Sequence, residues 1–205
     1  MMSLSATTGR MNRWSRRLAL LLTVLTFPLI WVGGLVTTTD AGMAVPDWPN
    51  TYGYNMFLYP WESWLLGPWD LFIEHGHRLL GALVGMVTIA LMVVVLKMDA
   101  RSWMRKLVIV ALVAVIAQGI LGGVRVRLND VTLAMIHGCT GPAFLVLTTI
   151  IAVMFSAFWQ NPVSPELSAA KADNKNEQNK DNEVIEDDKQ HFNASLRLAR
   201  LTTIL

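Results

Sequence analysis

Cysteine is almost missing from this sequence, since Cys139 is the single one among 205 residues. One cysteine excludes an internal disulfide and any metal cluster built from several cysteines of one chain. Because Cys139 lies inside an apolar run, we expect it to be a small packing residue.

Charge is also scarce, because Asp, Glu, Lys and Arg make up 16% of the chain and apolar residues 53%. A soluble domain usually has about 25% charged residues, so the composition indicates a membrane protein surrounded by lipid. The net charge of +2 carries little information, because the basic residues form short clusters beside apolar runs. This pattern gives no support for a nucleic-acid partner.

Four long apolar runs account for most of the hydrophobic residues. The first, Leu18–Val36, has about 19 residues, which is enough to cross a hydrocarbon core of about 30 Å. A cleaved signal peptide fits less well, because its apolar region normally has about 7–15 residues and precedes a small-x-small site. The other runs are approximately Phe72–Lys97, Leu107–Val124 and Val131–Trp159. They predict an all-α, polytopic membrane protein with a four-helix transmembrane bundle.

Polar segments flank this bundle. Residues 1–17 form a basic N-terminus before the bundle at 18–159. Residues 160–195 are polar and mixed in charge, which predicts a disordered linker that cannot bury a core. Residues 196–205 look like the start of a fifth transmembrane helix, and the chain stops there.

Lysine and arginine are missing from the loop at 37–73, which is acidic and aromatic. The positive-inside rule therefore places the N-terminus, the 97–106 loop and the 160–195 linker in the cytoplasm of a bacterial cell, with the chain in its inner membrane. Trp and Tyr prefer the headgroup level, so the outer loop is expected to fold back as a cap. Its last part, Trp61–Ile73, predicts a short interfacial helix.

Two arginines, Arg125 and Arg127, depart from this pattern, because their short loop at 125–130 also faces outward. Short loops do produce weak exceptions to the rule. The alternative is an anion site for the carboxylates of a ligand near the outer surface. The sequence leaves both interpretations open.

A dense group of ionisable residues, Glu74-His75-Gly76-His77-Arg78, stands at the outer end of the second apolar run. Glu74 and His77 are three residues apart and share one helix face. Ionisable residues within a membrane are functional candidates by default. His75 lies about 200° around the helix from His77, so we expect it to face the headgroups or the outer loop.

His137 lies at a matching depth on the fourth run, about 9 Å from its start at Val131. Two such histidines on different helices predict a clamp around a flat ligand, and haem iron is the usual object held this way. Zinc competes, but it takes four ligand groups, and a hydrogen-bonded structural role is the third interpretation. Glycines on the second and third runs permit close helix approach or room for a ligand: Gly81, Gly85, Gly119, Gly122 and Gly123.

These motifs together resemble haem A synthase, the membrane enzyme that oxidises a methyl group of haem O to the formyl group of haem A. The similarity extends over roughly residues 18–159. It rests on Gly33-Gly34 with Gly42-Met43-Ala44-Val45-Pro46-Asp47-Trp48-Pro49, on Glu74-x-x-His77-Arg78, on Gln118-x-x-Leu121-Gly122-Gly123-x-Arg125-Val126, and on His137.

The resemblance implies that His77 and His137 flank the substrate haem as its iron ligands, and that Glu74 is the catalytic carboxylate. Haem O is the expected substrate and haem A the product, while haem B belongs to a second four-helix half. The expected partners are membrane lipid, the farnesyltransferase that produces haem O, and that second half or another copy of the chain. Charge and side of the membrane add three candidates for the haem propionates: Arg78, Arg125 and Arg127.

Members of the family have eight helices in two similar halves, and this chain corresponds to the first half. The resemblance therefore implies a fragment, a truncated reading frame or one part of a split enzyme. Its outer loop lacks the cysteine pair of many members, and Thr37 stands where an arginine is common. Two functions of other classes stay open. One is a four-helix b-type cytochrome, which has no need of a carboxylate such as Glu74, and the other is a non-enzymatic haem-binding assembly protein.

Overall fold

The computed structural model describes residues 13–160, 173–183, 185–186 and 189. Four long helices are apolar enough to cross a membrane within these ranges, which confirms the predicted all-α, four-helix bundle. In chain order the elements are α1 (Arg13–Thr38), a 3₁₀ turn (Ala41–Met43), β1 (Asn50–Thr51), β2 (Tyr54–Asn55), α2 (Trp61–Leu65), α3 (Trp69–Met98), α4 (Ser102–Leu128), α5 (Val131–Met154) and α6 (Ala157–Gln160).

The predicted interfacial helix at Trp61–Ile73 is wrong as a single element. The helix is interrupted at residues 66–68, and α3 begins directly after Pro68. Proline is disfavoured inside a helix but fits at its start, because it has no N–H to donate. A Cβ on Gly67 would lie 2.2 Å from the carbonyl oxygen of Ser63, so this turn requires glycine.

The turn between α4 and α5 is also determined by the residues that form it. Asn129 adopts a left-handed conformation with φ 48° and ends α4, a conformation that asparagine tolerates better than most residues. The Asp130 carboxylate then accepts a hydrogen bond of 2.8 Å from the N–H of Leu133, which caps α5. At its other end α5 stops at Met154, earlier than the predicted Trp159.

The four long helices form a ring, in which α1 packs against α3 and α5, and α4 packs against the same two helices. Consecutive long helices run in opposite directions. Helices α1 and α4 therefore begin at the end of the bundle that the sequence predicts to be cytoplasmic, and α3 and α5 begin at the other end. Helices α3 and α5 occupy diagonal positions in this ring. Side chains from these two helices therefore meet across the middle of the bundle.

The apolar core fills one end of the ring. It is built from the first half of α1 and α4 and the second half of α3 and α5, which lie at the same level. Such packing is stabilised in lipid mainly by van der Waals contact. The buried residues include Ala19, Leu22, Val84, Leu91, Val95, Met104, Val108, Ala111, Phe144 and Ile151.

The other half of the ring is packed less tightly. No residue is fully buried in the stretches 27–35, 76–83, 112–122 and 131–143, which face one another at the same level. A bundle packed to the usual interior density would bury one side of each helix here. Beyond this layer, buried residues appear again where the outer loop covers the end of the ring, among them Val36, Val45 and Ile73. We call these two parts the open layer and the cap.

Two further expectations differ from the structure. Cys139 is exposed on α5 and is not a packing residue. Residues 173–183 are helical with exposed side chains, whereas the sequence predicts a disordered linker at 160–195. The predicted start of a fifth helix at 196–205 lies outside the described residues.

Candidate functional site between α3 and α5

The imidazole rings of His77 and His137 meet in the open layer. Their centroids are 6.3 Å apart and their planes are nearly perpendicular, at 87°. The Nδ1 atom of each ring is buried and has no hydrogen-bond partner among the described residues. A buried polar nitrogen without a partner is costly, so these two nitrogens are candidates for binding a ligand.

Each ring rests against a glycine of a neighbouring helix. A Cβ on Gly33 of α1 would lie 2.9 Å from Cε1 of His77, and a Cβ on Gly122 of α4 would lie 3.1 Å from Cε1 of His137. Any larger side chain at these positions would collide with a ring. The two glycines therefore provide the space in which the histidines sit.

Glu74 and Arg78 lie one turn apart on α3 and form an ion pair of 2.6 Å between Oε1 and Nη2. The other carboxylate oxygen of Glu74 accepts a hydrogen bond of 2.8 Å from the N–H of Val45. Both oxygens of the predicted catalytic carboxylate are thus engaged by the chain itself. Their contacts support a role in holding the outer loop, and the catalytic role of Glu74 stays a prediction.

Arg78 fixes the same loop through its backbone. Its Nη1 donates to the carbonyl oxygens of Asp47 at 2.7 Å and Asn50 at 3.0 Å, and its Nη2 donates to that of Val45 at 2.5 Å. With Glu74, these bonds use all four Nη hydrogens of the guanidinium. Arg78 therefore has no terminal N–H left for a propionate.

Asp47 shapes the turn of the loop beyond this anchor. Its carboxylate accepts hydrogen bonds from the N–H groups of Tyr52 at 2.9 Å and Gly53 at 2.8 Å. Burial raises the pKa of Asp47, but the hydrogen bonds from Gly53 and Tyr52 and the positive charge of Arg78 outweigh it, so the pKa lies below its ordinary value.

The cap also reaches α4. The indole ring of Trp48 lies so close to Gly123 that a Cβ there would be 2.3 Å from Cδ2 of the ring. The Nη1 atom of Arg125 lies 3.5 Å from the carbonyl oxygen of Gly42. The cap thus covers the end of the ring of helices near His137. Gly122, which contacts the His137 ring, directly precedes the Gly123 that contacts Trp48.

The three predicted propionate arginines have different environments. The Nε atom of Arg125 is buried and has no hydrogen-bond partner among the described residues. Arg127 is exposed, because two residues along a helix turn the side chain by about 200°. Of the three, Arg125 alone combines partial burial with a buried unpaired donor.

His75 lies apart from the pair, as expected from its angle on α3. It is 2% exposed, and its Nδ1 lies 3.0 Å from the hydroxyl of Thr51. Its ring also contacts the rings of Tyr59 and Trp64, with centroids 5.2 and 5.4 Å away. His75 is therefore part of the cap.

The chain matches the model of the COX15-CtaA family, described as cytochrome oxidase assembly protein, over residues 69–180. It belongs to this family. No curated protein and no solved structure matches the chain.

Membership in the cytochrome oxidase assembly protein family confirms the resemblance to haem A synthase that the motifs suggested. It implies a function in cytochrome oxidase assembly and, broadly, in haem A synthesis. It also agrees with four apolar helices in a multi-pass membrane protein. The matched range includes α3, α4 and α5, and hence both histidines, while α1 and the outer loop precede it.

Zinc has little support in this family member. Among the described residues, no group of three or more His, Cys, Asp or Glu side chains could hold a metal ion. A zinc site takes at least three protein ligands, whereas axial side chains such as histidine are what hold haem iron. The two histidines therefore fit a haem better than a zinc ion.

Several residues of this site were missed by sequence reasoning. The carbonyl groups that bind Arg78 carry no side-chain signal, and Trp48, which belongs to the motif of the outer loop, carries no signal for its contact with Gly123. Gly33 was noticed only as part of a motif, although its doublet with Gly34 parallels Gly122-Gly123 on α4. That repeated doublet is the one signal that could have located the two ring contacts.

Proposed function

We propose that this protein binds haem O in the open layer and oxidises one of its methyl groups to a formyl group, giving haem A for cytochrome oxidase. His77 and His137 would hold the haem iron. Arg125 would bind a propionate carboxylate. The described chain would act as the substrate-binding half of the enzyme.

The main support for this proposal is that the rings of His77 and His137 contact each other across the bundle. One metal ion held by two imidazoles, with metal–nitrogen bonds of about 2.0 Å, would require the two rings to lie within several ångströms of each other. The observed separation is 6.3 Å. Both rings also retain a buried Nδ1 without a partner among the described residues, so the donor set fits haem iron.

Arg125 supports the orientation of the haem. Propionates are carboxylates, and guanidinium groups bind carboxylates with directional, charge-assisted hydrogen bonds. The buried Nε of Arg125 is available for such a bond. Since Arg125 lies near the outer end of α4, propionates at this position would point toward the cap.

The chain's own residues then have three tasks. The histidines position the haem, Arg125 orients it, and the loop anchored by Glu74 and Arg78 closes the site from the outside. The methyl group would be converted by two successive hydroxylations, each of which replaces a C–H bond with a C–OH bond and requires an external two-electron oxidant together with an oxygen atom from that oxidant or from water. The resulting diol would lose water to give the aldehyde. Closing the site limits the access of bulk water to the reacting carbon.

The test is expression of the chain in membranes that contain haem O, followed by extraction and chromatography of the pigments. Haem A or its hydroxylated precursor is the expected product. His77→Ala and His137→Ala should each abolish it, whereas His75→Gln, which keeps a hydrogen-bonding group near Thr51, should retain most of it. If both alanine variants still bind haem as the wild type does, the site is elsewhere.

A b-type cytochrome is the second candidate, favoured by the engagement of both Glu74 oxygens in hydrogen bonds to the chain. Two histidine ligands leave no open position on iron for other chemistry, which suits an electron carrier. In that case the extracted pigment would be unmodified haem, and the bound haem would still be reduced and reoxidised reversibly.

The orientation and the partners belong to the same proposal. The outer loop, without lysine or arginine, would lie outside and the N-terminus in the cytoplasm of the bacterial inner membrane. In the most apolar part of each span, at most 28% of the residues are buried. The remaining surface is available for lipid, for a second four-helix half or for another copy. The farnesyltransferase that makes haem O would supply the substrate.

A further inference from the structure

The two histidines have the same surroundings in two different helix pairs. His77 of α3 faces Gly33 of the adjacent, antiparallel α1, and His137 of α5 faces Gly122 of the adjacent, antiparallel α4. Each glycine begins a Gly-Gly doublet, and each histidine is followed four residues later by another glycine.

We propose that the bundle contains one helix-pair arrangement twice, and that Gly33 and Gly122 are the positioning residues that set the two rings for binding. Each glycine leaves a slot on its helix, and the partner histidine fills it. The inference rests on the proposed function only in naming haem as the ligand. The position of the rings is a property of the chain itself.

Glycine at a contact between membrane helices usually allows the two backbones to pack closely. Gly33 and Gly122 differ, because they make room for a histidine ring. For such packing, a Cβ would meet the backbone of the opposing helix. At both Gly33 and Gly122, however, the three atoms nearest to a Cβ are all imidazole atoms. The space that these glycines leave is thus occupied by the rings.

The distances from a Cβ at each glycine to the nearby ring predict effects of different size for the two alanine variants. A Cβ at Gly33 would lie 2.9 Å from the His77 ring and one at Gly122 would lie 3.1 Å from the His137 ring, both closer than ordinary carbon contacts of about 3.5–4.0 Å. Gly33→Ala should therefore displace its ring by about half an ångström and Gly122→Ala by slightly less.

Matched controls lie on the same helices. A Cβ on Gly34 or on Gly119 would meet nothing within 4 Å, so alanine there adds the same methyl group without touching a ring. Alanine is also the better helix former. All four variants should therefore retain the helical content of the wild type, and the comparison isolates the ring contact.

The experiment measures haem binding and the haem absorption and electron paramagnetic resonance spectra of the purified chain in detergent. Gly33→Ala should weaken haem binding by about tenfold or more, as is typical when a supporting contact of a metal ligand is lost, and shift the spectrum away from that of two histidine ligands. Gly122→Ala should do the same to a smaller extent. Gly34→Ala and Gly119→Ala should match the wild type.

A second measurement needs no haem. The nuclear magnetic resonance signals of the histidine Cε1–H groups should shift for His77 in Gly33→Ala and for His137 in Gly122→Ala, and should not shift in the controls. If the wild type binds no haem but these signals shift, the proposed function is wrong and the positioning role holds. Unchanged signals and spectra in both ring-facing variants would overturn the positioning role alone.

Discussion

Glu74 and Arg78 make the outer loop dependent on one buried ion pair. The side chains are 1% and 9% exposed, and Glu74 also accepts the N–H of Val45. Replacing Glu74 with glutamine keeps the shape but removes the charge and one of the two acceptor oxygens, so either Arg78 or the N–H of Val45 loses its partner. We therefore expect Glu74→Gln to release the loop from α3.

The magnitude follows from the loss of one partner of a buried pair. Such a loss typically costs about 3–5 kcal/mol, and the retained carbonyl contacts of Arg78 favour the lower value. A cost of about 3 kcal/mol raises the local opening constant roughly 100-fold. The amide of Val45 should then exchange its hydrogen about 100 times faster.

The assay is amide hydrogen exchange of the purified chain in detergent, with the outer-loop amides compared between wild type and variant. Glu62→Gln is the matched control, because Glu62 is exposed on α2 and its replacement should leave Val45 unchanged. Exchange at Val45 that is as slow in Glu74→Gln as in the wild type would refute the anchoring role.

The same variant separates two roles of Glu74. If Glu74 acts only through the loop, product formation and Val45 protection should fall together in Glu74→Gln. If it takes part in the chemistry, as the resemblance implies, product formation should be lost even under conditions that keep the loop closed. Arg78→Lys, which keeps the charge but loses the forked geometry, should impair the loop in the same way.

Three further predictions concern neighbouring residues. Arg125→Gln should weaken haem binding about tenfold, since a charged hydrogen bond contributes about 1.5–3 kcal/mol, whereas Arg127→Gln should not. Gly123→Ala should lower the Tm in detergent, because its methyl group would overlap Trp48 and overpacking costs about 1–3 kcal/mol. The lowered pKa of Asp47 means that its contribution is present above the ordinary carboxyl pKa of about 4 and is lost as pH falls through the folded value. The protection of the amides bound to Asp47, measured relative to their intrinsic exchange rates, should therefore fall in acid, and Asp47→Asn should remove this pH dependence.

Much of the fold was predictable because apolar length is a strong constraint in a membrane. Runs of about 20 apolar residues must form helices there, since their backbone groups have no water to bond. The outer loop was less predictable. Its cap depends on Arg78 binding carbonyl groups 28–33 residues away in sequence, and backbone acceptors look the same in every sequence.

The candidate site divides in the same manner. Residue types and spacing alone selected His77 and His137, because ionisable groups stand out in apolar runs and helical periodicity separates His77 from His75. Only the tertiary structure shows that α3 and α5 lie diagonally across the bundle and that Arg125 is partly buried while Arg78 binds the outer loop. It also shows that the rings of the two histidines lie against Gly33 and Gly122. The physical reason is that a sequence records the chemical groups and their angle on one helix, whereas distances between helices are set by packing of the whole bundle.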